Sequence, residues 1–332
     1  MKIIIRNCNV AELDIPLKYA TKLYNEFAIR HPNAFYLRTR QRGMQNWDGK
    51  IKYITKTGQF KIGLLPSVYK RCIELGIKPI IVDMRQPLPK VSKVVTQIGK
   101  YKLRPEQEKA VKAILSNKLG ETPFQIGVLD YTVNAGKTLI MSALYLSYKK
   151  QLKTLLITND SDWLNQARDE FKQYLPGEDI TFVQGKVLNW SNFTIGMVQS
   201  ISRNMKYYQN ELAKIDMVLI DEADQGGSKQ YQNVITRLFN TRVRIGLSGT
   251  IYMSKLAKDK VKNMNLRCFF GDVIAEFKLK DSIKKGYSTK TIVKTVEGKP
   301  WFGNWESDCM SYNEIYDDSI THNKIAWTMA LN

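Results

Sequence analysis

Between Phe124 and Leu247, short apolar runs alternate with stretches of helical periodicity. That rhythm fits a parallel sheet covered on both faces by helices, because strands buried on two sides are apolar at nearly every position. Candidate strands are 124–129, 154–158, 180–183, 193–197, 217–220 and 243–247; candidate helices are 105–117, 137–150, 160–174 and 227–239. The first ninety or so residues read instead as a compact α+β unit. It has a strand at 2–6, a helix at 16–28, short strands at 50–55 and 59–64, a helix at 67–75 and a strand at 79–82. Residues 85–95, with Pro87 and Pro89, read as a linker. The chain thus divides into 1–92, 93–282 and 283–332, the last of these legible mainly as a helix over about 315–331.

One junction in the alternating region carries chemistry. Leu129 to Thr138 passes from a candidate strand to a candidate helix and ends in Asn134-Ala135-Gly136-Lys137-Thr138. A loop there offers backbone N–H groups and a helix N-terminus to phosphates, a lysine to the β/γ-phosphates and a hydroxyl to magnesium. The first glycine of the GxxxxGK[ST] pattern is absent, with Tyr131 in its place. Roughly eighty residues on, the apolar run at 217–220 ends in Asp221-Glu222-Ala223-Asp224. At the carboxyl end of a buried strand, Asp221 would contact the metal and Glu222 would orient or deprotonate the hydrolytic water. An acidic pair alone is usually an ordinary polar strand end; both motifs, in order and on the expected elements, argue against that here. Gln107, opening a helix after Arg104-Pro105, could read an adenine edge or be an exposed helix glutamine. Ser248 and Thr250 could sense the γ-phosphate or form a simple turn.

The chain carries a formal charge of +20 over 332 residues, which favours a polyanionic partner. In the first unit Arg38, Arg40, Arg42, Lys50 and Lys52 are interleaved with Tyr36, Trp47 and Tyr53. Strand alternation would set Tyr36, Arg38 and Arg40 on one face, with Phe35 and Leu37 turned inward. Such a face suits phosphates, though a solvated basic surface is the alternative, and Trp47 could be core or could stack on a base. Four scattered cysteines and two histidines form neither a zinc site nor a disulfide framework, so a reducing cytoplasm is expected. No apolar run is long enough for a membrane helix, and the N-terminus lacks a secretory signal.

Taken together, these segments resemble superfamily 2 helicases. Leu103 to Gln107 is similar to their adenine-side Arg-Pro-x-Gln motif, and Thr132 to Thr138 to motif I. Thr158-Asn159 is similar to motif Ia, Gly196-Met197-Val198-Gln199-Ser200 to the Gly-Thr-x-Gln-Ser/Thr segment, Asp221 to Asp224 to motif II and Ser248-Gly249-Thr250 to motif III. The extended Q motif and Pro-Thr-Arg-Glu-Leu-Ala segment of DEAD-box RNA helicases are missing. The likeness is closer to the UvsW-type helicases of tailed phages, which begin with a small DNA-binding domain containing Gly-Asn-Trp-Asp-Gly-[RK]-[IL]-[RK]. Gln45-Asn46-Trp47-Asp48-Gly49-Lys50-Ile51-Lys52 matches that segment except at its first position.

The resemblance implies an α/β fold, a RecA-like P-loop lobe with a parallel sheet, preceded by a small α+β DNA-binding domain. It implies an ATP- and Mg²⁺-dependent DNA helicase or translocase acting on forks, junctions and R-loops in the host cytoplasm. Nucleotide contacts would come from Arg104, Gln107, Asn134, Ala135, Gly136, Lys137, Thr138, Ser248 and Thr250, and metal contacts from Thr138 and Asp221. DNA contacts would include Asn159, Gln199 and Ser200 besides the basic first unit, and RNA could be met in R-loops. Such motors need a second RecA-like lobe with arginine fingers worth on the order of 10³–10⁵ in turnover. No Gln-x-x-Gly-Arg-x-x-Arg segment is visible, and Asn323-Lys324-Ile325-Ala326-Trp327 looks like the helix leading to it. The expectation is a chain that stops short of that lobe or meets it on a partner, binding ATP weakly and hydrolysing it poorly. The competing readings are a non-catalytic ATP-regulated DNA-binding module and the motor of a restriction system, for which no nuclease motif is visible.

Overall fold

The computed structural model describes residues 1–41, 43–184, 190–252 and 257–290. The N-terminal elements are β1 (Lys2–Ile5), β2 (Val10–Asp14), α1 (Leu17–Glu26), β3 (Ala28–Arg30), α2 (Ala34–Arg40), β4 (Lys50–Lys52), β5 (Gln59–Lys61), α3 (Leu65–Glu74) and β6 (Ile80–Asp83). Four of the strands form a sheet in the order β5-β2-β1-β6, in which β1 runs parallel to β6 and antiparallel to β2. Ile3 and Ile5 alternate into its core and meet Leu23, Val68 and Cys72 from the two longer helices.

Two expectations are corrected here. Residues 34–40 form a helix, so Ala34 is buried and Leu37 partly so, while Phe35 stands 80% exposed rather than inward. The window is too short for alternation to separate a period of 2 from one of 3.6. Tertiary fit decides: Gly49, at φ 75°, packs so closely that an added Cβ would lie 3.0 Å from that of Ala34. The strand expected over 59–64 ends at Lys61, and Ile62–Leu64 make a single 3₁₀ turn.

The larger layer follows. Its elements are β7 (Gln97–Ile98), β8 (Tyr101–Lys102), α4 (Pro105–Ser116), β9 (Lys118–Leu119), β10 (Thr122–Pro123), β11 (Ile126–Tyr131), α5 (Lys137–Ser147), β12 (Thr154–Thr158), α6 (Ser161–Tyr174), β13 (Ile180–Val183) and β14 (Phe193–Met197). After these come α7 (Val198–Arg203), α8 (Met205–Leu212), β15 (Met217–Asp221), α9 (Lys229–Ile235), β16 (Val243–Ser248), α10 (Ala257–Phe270), β17 (Val273–Phe277) and α11 (Leu279–Lys284). Seven strands pair in parallel in the order β13-β14-β12-β15-β16-β11-β17. β11, β12, β15 and β16 are buried at every position, which is why they read as unbroken apolar runs. The Asp160 carboxylate caps α6 by accepting from the N–H groups of Asp162 and Trp163 at 2.8 and 3.2 Å. α5 stops before Lys149 and Lys150, both at positive φ, and α9 is shorter than the expected 227–239. β17 escaped the sequence reading because it is an edge strand in which only Ala275 and Phe277 are fully buried. The helix expected at 315–331 lies outside the described residues.

The two sheets belong to one compact unit, Met1–Ser288, with a shared hydrophobic core running from Ile3 to Phe270. Its polar fastening is Arg244 of β16, fully buried, whose Nη2 donates to the Cys8 carbonyl and to Asn9 Oδ1 at 2.8 Å each. The side chain of Arg85, in the stretch read as a linker, is likewise buried, and its guanidinium donates two hydrogen bonds to Asp83, which also lies 3.3 Å from Arg242 Nη2. Among the described residues no helix is long and apolar enough to cross a membrane. Gly63 of the 3₁₀ turn is pressed against the carbonyls of Arg267 and Cys268, with no room for a Cβ. Gly63→Ala should therefore cost about 2 kcal/mol, seen as a lower urea midpoint with an unchanged slope.

Candidate active site

The phosphate-loop segment leaves β11 at the carboxyl edge of the sheet and enters α5. Two residues in it, Asn134 and Gly136, have left-handed backbones, at φ 60° and 71°. Gly136 is required twice over, since an added Cβ would also collide with the Gln107 amide. Gln107 is buried and its amide is engaged within the protein: Oε1 accepts from the Arg104 N–H at 2.8 Å, and Nε2 donates to the Ala135 carbonyl at 2.9 Å. Arg104 Nη2 donates to the Asn134 carbonyl at 3.0 Å, and its guanidinium lies over the Tyr287 ring, 4.3 Å from the centroid. Both residues thus brace the loop from the α4 side. Tyr131, at the missing glycine's position, is fully buried, and its hydroxyl donates to the Glu106 carbonyl at 2.8 Å. Burial pushes that hydroxyl up to about 12, which keeps it a donor at neutral pH. The glycine is absent because this position fastens α4 to β11.

β16 lies between β11 and β15, so three neighbouring strand ends converge. Lys137 Nζ sits 3.3 Å from Asp221 Oδ1 and 3.6 Å from Glu222 Oε1. Ser248 Oγ donates to Asp224 Oδ1 at 2.9 Å and in turn accepts from the Thr250 N–H at 3.2 Å. Asp224 was not among the singled-out site residues, although its place in the Asp-Glu-Ala-Asp run was the available signal. Asp221 is buried, and its Oδ1 has no hydrogen-bond donor. A buried carboxylate oxygen that accepts no hydrogen bond and meets only the Lys137 ammonium fits magnesium, which needs few protein ligands when phosphates and water complete its shell. Among the described residues no group of three or more His, Cys, Asp or Glu side chains could form an all-protein metal cage. Burial raises the Glu222 carboxyl above its ordinary value; Lys137 opposes the shift, while Asp221 and Asp224 add to it. Its backbone is left-handed, at φ 51°, an uncommon conformation for glutamate.

The residues expected to meet nucleic acid fall in two places. At the same sheet edge, Asn159 Nδ2 donates to Gln225 Oε1 at 2.5 Å and the Asn159 carbonyl accepts from Gln199 Nε2 at 3.1 Å. Ser200 adjoins Gln199 in α7. Gln225, one residue beyond Asp224, thus connects these motifs to the carboxylate strand; nothing in its local sequence signalled this. In the N-terminal unit, Arg38, Arg40 and Lys50 are exposed, and Arg42 lies outside the described residues. Lys52 pairs with Asp48 at 3.2 Å, and Trp47 is half-buried with its Nε1 donating to the Lys50 carbonyl at 3.0 Å. A cavity of 620 Å³ opens beside Gln151, Asp216 and Arg242 at the amino ends of the strands, away from Lys137.

The fold defines a class: an α/β lobe of the RecA-like type, with a seven-stranded parallel sheet. Residues 100–253 match the family described as Type III restriction enzyme, res subunit. Over 272 residues, 76% of this chain and 51% of the relative, the sequence is 23% identical to the ATP-dependent DNA helicase uvsW of Enterobacteria phage T4. A stretch of 147 residues, 44% of this chain, is 26% identical to 27% of the mimivirus (Acanthamoeba polyphaga mimivirus) protein L396, provisionally described as an ATP-dependent RNA helicase. A crystal structure of the UvsW helicase from bacteriophage T4 superposes with TM-score 0.63 at 20% identity, covering 83% of this chain and 100% of that one. Another structure of T4 UvsW gives 0.62 at 20% identity, covering 83% of this chain and 57% of that one. The resemblance to UvsW-type helicases is thus met in sequence and fold alike. The chain spans about half or less of the length of the curated relatives it matches.

The raised Glu222 pKa has a consequence for stability. The folded state holds this proton more tightly than the unfolded chain does, so the ionised carboxylate opposes folding above the raised value. That penalty vanishes as pH falls below the ordinary glutamate range. Glu222→Gln should raise Tm at pH 7–8, with an advantage that shrinks toward pH ~4.5; a difference constant across that range would contradict the assignment.

Proposed function

We propose that this chain is the ATP-binding part of a DNA-stimulated helicase or translocase motor that remodels branched DNA. The observation that carries the reading is the meeting of Lys137, Asp221 and Glu222 at the mouth of a helix-capped loop. In this reading, backbone N–H groups from Asn134 to Thr138 and the N-terminus of α5 receive the phosphates, and Lys137 reaches the β/γ oxygens. Thr138 and Asp221 would hold magnesium, which when bound offsets the charge developing on the transferred phosphoryl group. Glu222 orients the attacking water and accepts its proton, a task suited to a carboxyl whose affinity for protons is raised. Ser248, bonded to Asp224, and Thr250, bonded in turn to Ser248, would sense the γ-phosphate.

Gln225 would transmit the state of this site to the DNA-contacting residues Asn159, Gln199 and Ser200, while Arg38, Arg40 and Lys50 hold phosphates on the N-terminal unit. A second RecA-like lobe, on this or another polypeptide, would supply the arginine fingers. Forks, junctions and R-loops are the proposed substrates, with recombination, repair and replication in a host cytoplasm as the setting. The match to the res-subunit family supports a second reading, a restriction motor, which adds cleavage of the translocated DNA as a distinguishing product.

Lys137→Ala should weaken binding of a fluorescent ATP analogue by about 100-fold or more, the loss of a charge-assisted contact of ~3 kcal/mol. DNA affinity should change by less than about twofold; retained ATP affinity would defeat the assignment. Gln225→Ala should leave each binary affinity near wild type but reduce the effect of one ligand on the other. That effect is measured as DNA affinity with and without a non-hydrolysable analogue, and reciprocally.

A further inference from the structure

The segment between Glu26 and Asp48 contains no acidic residue and four arginines, Arg30, Arg38, Arg40 and Arg42. Within it, α2 presents Phe35 and Tyr36 to solvent, 80% and 55% exposed. Two large aromatics side by side on a surface are costly to leave in water, and an exposed pair calls for a partner.

The helix that carries them is firmly mounted. The His31 N–H donates to the Gly49 carbonyl at 2.8 Å, the Ala34 N–H donates to the His31 carbonyl at 3.0 Å, and Ala34 seats against the Gly49 turn. Trp47 packs its ring edge-on to His31, 5.8 Å between centroids, and its N–H is spent on the Lys50 carbonyl. The Asn46-Trp47-Asp48-Gly49-Lys50 segment therefore builds the seat, and the stacking capacity lies on the helix it supports. At the other end, Thr39 Oγ1 donates to the carbonyls of Phe35 and Tyr36. The Arg40 guanidinium lies over the Tyr36 ring, 5.1 Å from its centroid, which restrains that ring's orientation. Arg38, one turn along α2 from Phe35, and Lys50 have no ion-pair partner among the described residues, and both side chains are exposed.

Position favours one occupant. A cavity of 530 Å³ joins His31 and Pro32, just before α2, to Asp224 and Gln225 at the carboxyl edge of the large sheet. The loop leading into the aromatic helix therefore faces Gln225, which is bonded to Asn159.

We infer that Phe35 and Tyr36 form a stacking platform for unpaired bases of single-stranded DNA, with Arg38, Arg40 and Lys50 gripping the flanking phosphates. The inference rests on the DNA-binding reading above and adds to it the residues that grip unpaired bases rather than phosphates. Base stacking on an exposed ring is tolerant of sequence and largely independent of salt, whereas phosphate contacts are not. The two contributions can therefore be separated in one titration.

The test is the anisotropy of a fluorescein-labelled oligothymidylate over a series of salt concentrations, using the whole chain. Phe35→Ala should weaken binding by about 5- to 150-fold, by the usual worth of a stacked base, with the slope of log affinity against log salt unchanged. Arg38→Ala should instead reduce that slope by ~0.7, the contribution of one single-strand phosphate contact. Phe35→Tyr, which keeps a flat ring, should retain affinity within about twofold, and Phe35→Leu should not. Phe35 is exposed, so Tm of each variant should match wild type. Failure of the wild-type chain to bind the oligonucleotide would bring down the DNA-binding reading itself. Binding by wild type that is equally strong in Phe35→Ala, or fully kept in Phe35→Leu, would overturn the platform alone.

Discussion

The lobe is organised around an ammonium group held between two carboxylates. Lys137 can occupy that position only because α5 begins at a left-handed Gly136, and Gly136 fits only because the Gln107 amide fills the space a side chain would need. The carboxylates in turn depend on strand order. With β16 between β11 and β15, the ends of three strands lie close enough for one lysine, two acids and the Ser248–Asp224 pair to share a small volume. Desolvation by that crowding is also what lifts the Glu222 carboxyl above its ordinary affinity for protons. Wherever Glu222 is ionised, the same crowding therefore detracts from stability.

The N-terminal unit is built into this lobe rather than tethered to it. Arg244, inside the large sheet, spends its donors on the Cys8 carbonyl, the Asn9 side chain and the Phe269 carbonyl. Losing the N-terminal turn would leave a fully buried guanidinium with only the Phe269 carbonyl, an expensive outcome in a low-dielectric interior. With the core shared as well, α2 keeps a fixed relation to the sheet edge where Asn159, Gln199 and Gln225 are bonded together. A polymer bound along both surfaces would be held by one compact unit.

Much of this was open to a reader of the chain alone. Doubly buried strands such as Thr154–Thr158 and Met217–Asp221 announce themselves by composition, and Asp160 marks the start of α6 by its capping chemistry. Edge strand β17 and the short helices α7 and α8 carry weaker patterns, because one face remains wet and each period is sampled only once or twice. The seven residues of α2 fit two periodicities equally well, and packing of Ala34 against Gly49 settles which one forms. Gln107 reads from the sequence as either an adenine contact or an exposed helix glutamine; that its amide is buried against the loop depends on where Ala135 lies.

The sequence by itself determined the local chemistry: which residue types follow which element, hence the lysine-bearing loop, the acidic strand end and the excess of positive charge. Only the tertiary structure decided which of those groups meet, since separations of 84 residues from Lys137 to Asp221 and 66 from Asn159 to Gln225 are closed by strand order and not by any local preference. It also decided which aromatics face water. Burial is a property of what packs on a surface, and for Phe35 and Trp47 that packing comes from elsewhere in the chain.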